Sequence, residues 1–117
     1  VTESYGQTLA DPFTVKCAPG DTSNSFANVT LPMLVPYELG PQASDTANAA
    51  VLVIPGGGTT HISWEKEGTD VAVWLNSLGI SAYVLKYRVP GFEFAMQDVQ
   101  RAVSVLRHYA PQKGINP

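Results

Sequence analysis

A glycine-rich loop is the part of the sequence best suited to chemistry. Residues 55–61 read Pro-Gly-Gly-Gly-Thr-Thr-His. Glycine allows backbone angles that other residues avoid, and it lets the chain approach a ligand closely. A loop of this kind can direct two backbone N–H groups at one point, where they stabilise the oxyanion that forms during acyl transfer.

The same glycines fit two other interpretations, a nucleotide-binding loop and a tight turn without chemistry. The pattern Gly-x-x-x-x-Gly-Lys-Ser/Thr is absent, and Gly-x-Gly-x-x-Gly fails because its last position is His61. No acidic residue ends the predicted strand at Ile80–Tyr87 to hold a ribose. Oxyanion stabilisation is therefore the preferred hypothesis, and a plain turn is its main alternative.

The elements on either side of this loop predict the fold class. Residues 49–54 are continuously apolar, which is typical of a central parallel strand buried on both faces. Residues 68–78 have apolar side chains at helical spacing, and Gly79 follows where a C-terminal cap is expected. A second buried strand, Ile80–Tyr87, and a second helix over about residues 94–109 come next. The strand–helix–strand–helix order predicts an α/β fold with parallel strands.

The chain before residue 49 is less regular. Residues 1–27 are polar and aperiodic, so we predict an N-terminal arm or loop with a short strand around residues 13–15. Between Val29 and Leu39 apolar residues alternate, which predicts a half-buried strand. Two prolines on its other face indicate an outer or interrupted strand, because proline cannot donate to a sheet. Residues 40–48 form a predicted polar turn, and the folded domain is assigned to residues 28–117.

The histidines are poor candidates for a catalytic base. His61 is the last residue of the glycine loop, and we expect it to make a structural hydrogen bond or to lie at the surface. His108 lies near the end of the second predicted helix, where a cation suits the helix dipole. Ser63 is only two residues from His61, whereas catalytic triads are assembled from separated segments. We therefore expect no catalytic pair here.

Three further polar or aromatic features receive structural assignments. Glu67 is expected to support the glycine loop or the start of the first helix. Asp98 and Arg101 are three residues apart on the second predicted helix and can pair. Trp74 has helical spacing and is assigned to the core rather than to a sugar-binding platform.

Composition excludes several classes of partner. The chain has 117 residues, a formal net charge of −3 and scattered basic residues, so no nucleic-acid partner is expected. The longest apolar run is too short to span a membrane. Cys17 is the only cysteine, which excludes an internal disulfide and a cysteine metal cluster, and no metal or cofactor is predicted. The sequon Asn28-Val29-Thr30 favours a secreted protein without fixing the compartment.

A series of motifs in the chain resembles a known family. In chain order the motifs are Val53-Ile54-Pro55-Gly56-Gly57-Gly58, His61-Ile62-Ser63, Glu67-Gly68, Ala72-Val73-Trp74-Leu75-Asn76-Ser77-Leu78-Gly79-Ile80, Leu85-Lys86-Tyr87-Arg88, Met96-Gln97-Asp98-Val99-Gln100-Arg101-Ala102-Val103 and Gly114-Ile115-Asn116-Pro117. They are similar to motifs of the α/β-hydrolase esterases that include acetyl-xylan-esterase-like and carboxylesterase-like proteins, in register over residues 49–117 and loosely over 28–48.

The resemblance implies a doubly wound, mostly parallel sheet and the hydrolysis of small-acyl esters, such as acetyl esters of carbohydrates. It assigns the oxyanion N–H groups to Gly57 and Gly58. The residues implied to form the supporting loop are Gly56, Thr59, His61 and Glu67.

The resemblance also implies a Ser-His-Asp triad, of which this sequence contains no member. The nucleophile elbow Gly-x-Ser-x-Gly is absent, and the family places it beyond the position of Pro117. We therefore expect a partial fold that lacks its C-terminal half and is inactive alone. Its expected partner is the C-terminal half of the same hydrolase. The alternative is a non-catalytic fragment or an inactive hydrolase-like module that binds a partner chain.

Overall fold

The computed structural model describes residues 14–15, 25–39 and 49–117. A π-helical turn over Glu65–Thr69 leads directly into the first α-helix. The predictions for Cys17, for residues 40–48 and for most of the N-terminal arm lie outside the described residues. The strands and α-helices in the described residues are β1 (Thr14–Val15), β2 (Ser25–Ala27), β3 (Met33–Tyr37), β4 (Ala50–Val53), β5 (His61–Ile62), α1 (Asp70–Ser77), β6 (Ser81–Lys86) and α2 (Phe92–Lys113).

Strand β6 is the centre of the main sheet, whose order is β3–β6–β4. Strands β4 and β6 are parallel, with Val53 opposite Val84, as the strand–helix–strand order predicted. Strand β3 is antiparallel to β6 and lies at the edge of the sheet formed by the described strands, in agreement with the prediction from its prolines. The sheet is therefore mixed, with the predicted parallel pair at one side.

The burial of β4 differs from the prediction. Val51 and Ile54 are 37% and 47% exposed, because β4 has a neighbour on one side alone among the described residues. The expectation of a central strand covered on both faces is wrong for β4 in this part of the sheet. Strand β6 fits that description instead, and Ala82, Tyr83 and Val84 are almost fully buried.

The helices cover opposite faces of the main sheet. Side chains alternate along a strand, so neighbouring residues of β6 point to different faces. Val84 faces the π-helical turn, where an added side chain on Gly68 would meet it at 3.1 Å. Leu85 faces α2 and lines a small cavity with Ala102 and Val105. Helices on both faces of a sheet are the layers of an α/β fold.

The C-terminal cap of α1 is confirmed. The Gly79 N–H donates to the Asn76 carbonyl and the Ile80 N–H donates to the Leu75 carbonyl, each at 3.0 Å. Gly79 has a φ of +81°, and this pair of bonds is a Schellman motif. The motif turns the chain directly into β6.

The predicted inner face of α1 is wrong in part. Ala72 and Leu75 are buried, whereas Trp74 and Leu78 are 60% and 55% exposed. Trp74 is therefore not a core residue. Because residues 71–75 are all apolar, their spacing does not fix which side faces the sheet. The close approach of Gly68 to Pro55 and Val84 sets the rotation of the helix.

A second, smaller sheet packs beside the glycine loop. Its order is β1–β2–β5, with antiparallel pairs throughout the described strands. β1 is present where a short strand was expected, but β2 lies where the sequence predicted a loop. Ala27 pairs with His61, and the Phe26 ring lies 5.4 Å from the Trp64 ring. This sheet holds the exit of the glycine loop in place.

Helix α2 begins and ends beyond its predicted limits of about 94–109. It follows Gly91 and continues through Lys113. Neither helix in the described part of the chain combines the length and apolarity needed to cross a bilayer.

Candidate functional site

The glycine loop connects the end of β4 to β5. The parallel strands β4 and β6 both end at this edge of the sheet, so Pro55 after β4 lies close to Tyr87 after β6. Ligands of open α/β sheets bind at the carboxyl ends of the strands. The loop therefore occupies the position in the fold where a binding site is expected.

Two side chains hold the first peptide unit of the loop. The buried Tyr87 hydroxyl donates to the Pro55 carbonyl. The Gly56 N–H of the same peptide unit donates to Glu67 Oε2 at 2.6 Å. The Tyr87 contact links residues 32 positions apart, and the Glu67 contact links residues 11 apart. Both polar groups of this peptide are thus satisfied by the surrounding fold.

The next two peptide units are held by their carbonyls. The Gly56 carbonyl accepts from the Ser63 N–H at 2.8 Å. The Gly57 carbonyl accepts from the N–H groups of Thr60 and His61 at 3.3 and 3.4 Å. Among the hydrogen bonds of the described residues, none has the N–H of Gly57 or Gly58 as its donor.

Peptide planarity fixes the direction of those two N–H groups. In a trans peptide the C=O of one residue and the N–H of the next point in opposite directions. The Gly57 N–H therefore points away from Ser63, and the Gly58 N–H points away from the turn closed by Thr60 and His61. Both donors face away from the hydrogen bonds that hold the loop.

The backbone angles explain why these positions are glycine. Gly57 has a φ of +154°, and a Cβ there would lie 1.8 Å from the His61 carbonyl oxygen. Gly58 has a φ of +64°, and a Cβ there would meet no atom within 4 Å. Gly57 is thus required by close packing. Gly58 instead borders open space.

The residues after the glycines brace the turn. Thr59 has a φ of +62°, which is unfavourable for a β-branched residue. Its carbonyl accepts from the Gly91 N–H at 3.2 Å, so the start of α2 holds this strained position. Strained backbone of this kind is frequent at functional sites. Thr60 Oγ1 donates to the Gly57 carbonyl at 3.0 Å and lies 3.1 Å from His61 Nδ1.

No nucleophile–base pair is found at His61 and Ser63. His61 makes its side-chain hydrogen bond with Thr60, and Ser63 is only 7% exposed. The other histidine, His108, is exposed on α2, where its ring contacts Tyr109 at 4.9 Å. Among the described residues, no group of three His, Cys, Asp or Glu side chains is placed to hold a metal ion.

Two residues beside the loop were not assigned by the sequence analysis. Burial, together with the Glu67 carboxylate, raises the pKa of Tyr87 above its usual value, so the phenol keeps the proton that it donates to the loop. Arg88 pairs with Asp98, a partner that the sequence analysis did not assign to this carboxylate. The sequence feature that could have identified both residues is their position at the end of the second predicted parallel strand, which lies next to the end of the first.

Comparisons with known proteins identify the superfamily. The chain is 39% identical to the acetyl ester-xyloside bifunctional hydrolase of Caldicellulosiruptor lactoaceticus over 77% of its own length, with a TM-score of 0.68. It shares the fold of an α/β-hydrolase enzyme from a Medee basin deep-sea metagenome library, with 24% identity and a TM-score of 0.66. The chain belongs to the α/β-hydrolase superfamily.

A curated relative agrees with this assignment. The α/β-hydrolase chain is 34% identical over 70 residues to the acetylxylan esterase of Xylanibacter ruminicola. It spans 15% of that protein and 32% of the Caldicellulosiruptor enzyme. No protein-family model matches the chain. The expected fold class and the resemblance to esterases are therefore confirmed for a part of the hydrolase fold.

Proposed function

We propose that this chain supplies the oxyanion hole of a serine carboxylic ester hydrolase. The observation that carries the proposal is the direction of two N–H groups. Those of Gly57 and Gly58 face away from the loop's own hydrogen bonds, and the space at Gly58 is open. Donors fixed in advance at the point where negative charge develops supply a large part of acyl-transfer catalysis.

In the proposed reaction the ester carbonyl oxygen lies against these two N–H groups. A serine hydroxyl attacks the carbonyl carbon while a histidine takes the serine proton. The carbonyl oxygen then carries a full negative charge, which the two donors stabilise. The alkoxide leaves with the proton from the histidine, and water releases the acyl group from the serine. In this proposal the serine, histidine and acid all lie outside residues 1–117.

The proposed substrates are small-acyl esters, with acetyl esters of carbohydrates as the first class to test. The names of two relatives support this choice, an acetylxylan esterase and an acetyl ester-xyloside hydrolase.

The proposed partner is the C-terminal half of the same hydrolase. One side of β4 has no paired strand among the described residues, and Val51 and Ile54 are exposed apolar residues at that sheet edge, which supports this choice. A groove of about 160 Å³ adjoins the same strand, between Leu52 and the α2 residues Val103 and Leu106. An added strand and helix would cover both surfaces.

Labelling with an organophosphonate tests the proposed function. The complete enzyme, whether it is one polypeptide or two that assemble, should hydrolyse an activated acetyl ester and become phosphonylated on one serine outside residues 1–117. Residues 1–117 alone should show only the buffer rate and no labelled serine. Stoichiometric phosphonylation of Ser63 would refute the proposed location of the nucleophile. A complete protein that is neither active nor labelled would favour the non-catalytic alternative.

A further inference from the structure

One peptide unit of the glycine loop is held from both sides by side chains of two different elements. Tyr87, directly after β6, donates to the Pro55 carbonyl. Glu67, from the π-helical turn, accepts from the Gly56 N–H at 2.6 Å. Because the carbonyl and the N–H of a trans peptide point in opposite directions, the two side chains contact opposite edges of the same plane.

We propose that Tyr87 and Glu67 are positioning residues that fix the plane of the Pro55–Gly56 peptide and, through it, the direction of the Gly57 and Gly58 N–H groups. This inference rests on the proposed function. The hydrogen bonds themselves are independent of catalysis, so they can be tested separately.

A run of three glycines needs such positioning. Glycine restricts neither φ nor ψ strongly, so the loop has more accessible conformations than any other three-residue segment. Oxyanion donors must lie about 2.7–3.1 Å from the developing charge and must be oriented before the reaction. A fixed plane immediately before Gly56 removes the influence of rotations upstream of the loop, so only the rotations within the glycines themselves can change the orientation of the donors.

Local packing supports a positioning role for Glu67. A Cβ on Gly56 would lie 2.6 Å from Glu67 Oε2, so the carboxylate occupies the space of a side chain at position 56. The next residue, Gly68, packs so closely that a Cβ there would lie 3.1 Å from both Pro55 and Val84. This close contact brings the π-helical turn, and Glu67 with it, against the loop.

The hydroxyl of Tyr87 is not needed for core packing. Its ring is buried, and phenylalanine would fill nearly the same volume. The hydroxyl contributes one hydrogen bond, and that bond goes to the loop. A hydrogen bond at each end of a peptide unit polarises it and strengthens both bonds. The pair therefore acts on the loop as a unit.

The test uses Tyr87→Phe, Glu67→Gln and Glu67→Ala in the complete enzyme. Each loss of a hydrogen bond should lower kcat about tenfold, the change expected for one bond of ordinary strength, with KM nearly constant. Glu67→Gln keeps an acceptor oxygen and should retain more activity than Glu67→Ala. The double variant Tyr87→Phe/Glu67→Ala should lose less than the product of the single losses, because both act through one peptide.

Two variants serve as matched controls. Tyr83→Phe removes a buried tyrosine hydroxyl from β6, the strand that precedes Tyr87, and this hydroxyl donates to Glu38 at 3.0 Å, away from the loop. Asp70→Asn removes an exposed carboxylate from the first residue of α1, directly after the π-helical turn. Both should retain the kcat of the unmodified enzyme.

A second measurement follows the loop without reference to activity. The Gly56 amide proton should resonate far downfield in the NMR spectrum and shift upfield in Glu67→Ala, and hydrogen exchange of this amide should quicken in both Glu67→Ala and Tyr87→Phe. An active enzyme whose Tyr87→Phe and Glu67→Ala variants keep kcat would overturn the positioning role alone. An unmodified enzyme without esterase activity would overturn it together with the proposed function. Unchanged hydrogen exchange and unchanged amide chemical shifts in the variants would refute the two hydrogen bonds by which Tyr87 and Glu67 hold the Pro55–Gly56 peptide.

Discussion

The guanidinium of Arg88 and the carboxylate of Asp98 form a bidentate ion pair across the turn between β6 and α2. Arg88 Nη2 lies 2.8 Å from Oδ1, and Nε lies 3.1 Å from both carboxylate oxygens. The Arg88 N–H also donates to Oδ2 at 2.8 Å. Asp98 is 5% exposed, and its hydrogen bond raises the pKa of Arg88. One buried carboxylate thus joins the end of the central strand to the helix that braces Thr59.

Removal of that carboxylate should destabilise the protein. Asp98→Ala leaves the Arg88 N–H without its acceptor, and we expect a loss of about 2 kcal/mol in the free energy of unfolding. Urea unfolding measures the change. Lys113→Ala breaks a more exposed ion pair, at 2.5 Å from Glu38, and should cost under about 1 kcal/mol. Equal losses in the two variants would contradict the structural role given to Asp98.

The sequence predicted the order of the elements around the loop because each one carries a local signal. The apolar runs in β4 and β6 and the Gly79 cap are readable without tertiary information. The pairing of Asp98 with Arg88 was not readable, because Arg88 lies ten residues earlier in the chain. Only the folded turn brings the Arg88 side chain and N–H to the same carboxylate.

The side chains that hold the glycine loop were also beyond what the sequence alone could predict. Tyr87 and Pro55 are 32 residues apart, and only the parallel pairing of β4 and β6 brings them together. That proximity follows from the predicted order of strands, but the direction of the Tyr87 side chain does not. Glu67 was assigned to the loop or to the helix start. Its contact with Gly56 depends on a π-helical turn that no sequence pattern predicted.

The side of β4 that has no paired strand among the described residues should make residues 1–117 prone to association when purified alone. Val51 is exposed on this edge strand, and an unpaired edge recruits other strands. Val51→Lys should shift the chain toward monomer in analytical ultracentrifugation. Val73→Lys, at an exposed position on α1, serves as the control and should leave association unchanged. A clean monomer with one sharp urea transition before any substitution would contradict this prediction.

Tyr87 should make stability depend on pH in alkaline solution. Its pKa is raised by burial and by Glu67, so the folded chain holds the phenol proton more tightly than the unfolded chain, whose tyrosine titrates near 10.0. The contribution of Tyr87 is fully present below that value and is lost as pH rises toward the folded pKa.

Replacement of the phenol should therefore flatten the alkaline decline. Tyr87→Phe is expected to be less stable by about 1 kcal/mol at neutral pH and to approach the parent as pH rises above 10. Urea midpoints measured across this range provide the comparison. Tyr37, whose pKa is also raised by burial, is present in both proteins and cancels in the difference. Parallel pH curves for the two proteins would exclude Tyr87 as the titrating group.

Alanine substitutions should separate the two candidate oxyanion glycines by their effect on stability. A methyl group at Gly57 collides with the His61 carbonyl, so Gly57→Ala should lower stability by about 3 kcal/mol. Gly58→Ala has open space and should cost about 1 kcal/mol for its left-handed φ. Thermal melts followed by circular dichroism give the ranking. If Gly57→Ala is the milder change, the loop conformation described above is incorrect.

The oxyanion role itself is tested most directly by deleting one donor. Gly58→Pro removes the N–H but also fixes φ near −65°, whereas Gly58 has a φ of +64°, so it changes two things at once. Replacement of the Gly57–Gly58 amide by an ester, introduced by semisynthesis in the complete enzyme, removes the donor with less distortion than proline and leaves the Gly57 carbonyl in place as a weaker acceptor for Thr60 and His61.

The ester variant should lose activity through a lower kcat. If the Gly58 N–H contacts the tetrahedral oxyanion, kcat should fall about 10²–10³-fold, or roughly 3–4 kcal/mol in transition-state stabilisation. KM should change much less, because the bond forms mainly in the transition state. The matched control is an ester at the Thr59–Thr60 peptide, whose N–H holds the turn through the Gly57 carbonyl at 3.3 Å. This control should lower the melting temperature more than the Gly58 ester does. A folded Gly58 ester variant with nearly full kcat would mean that the glycines form a turn and nothing more.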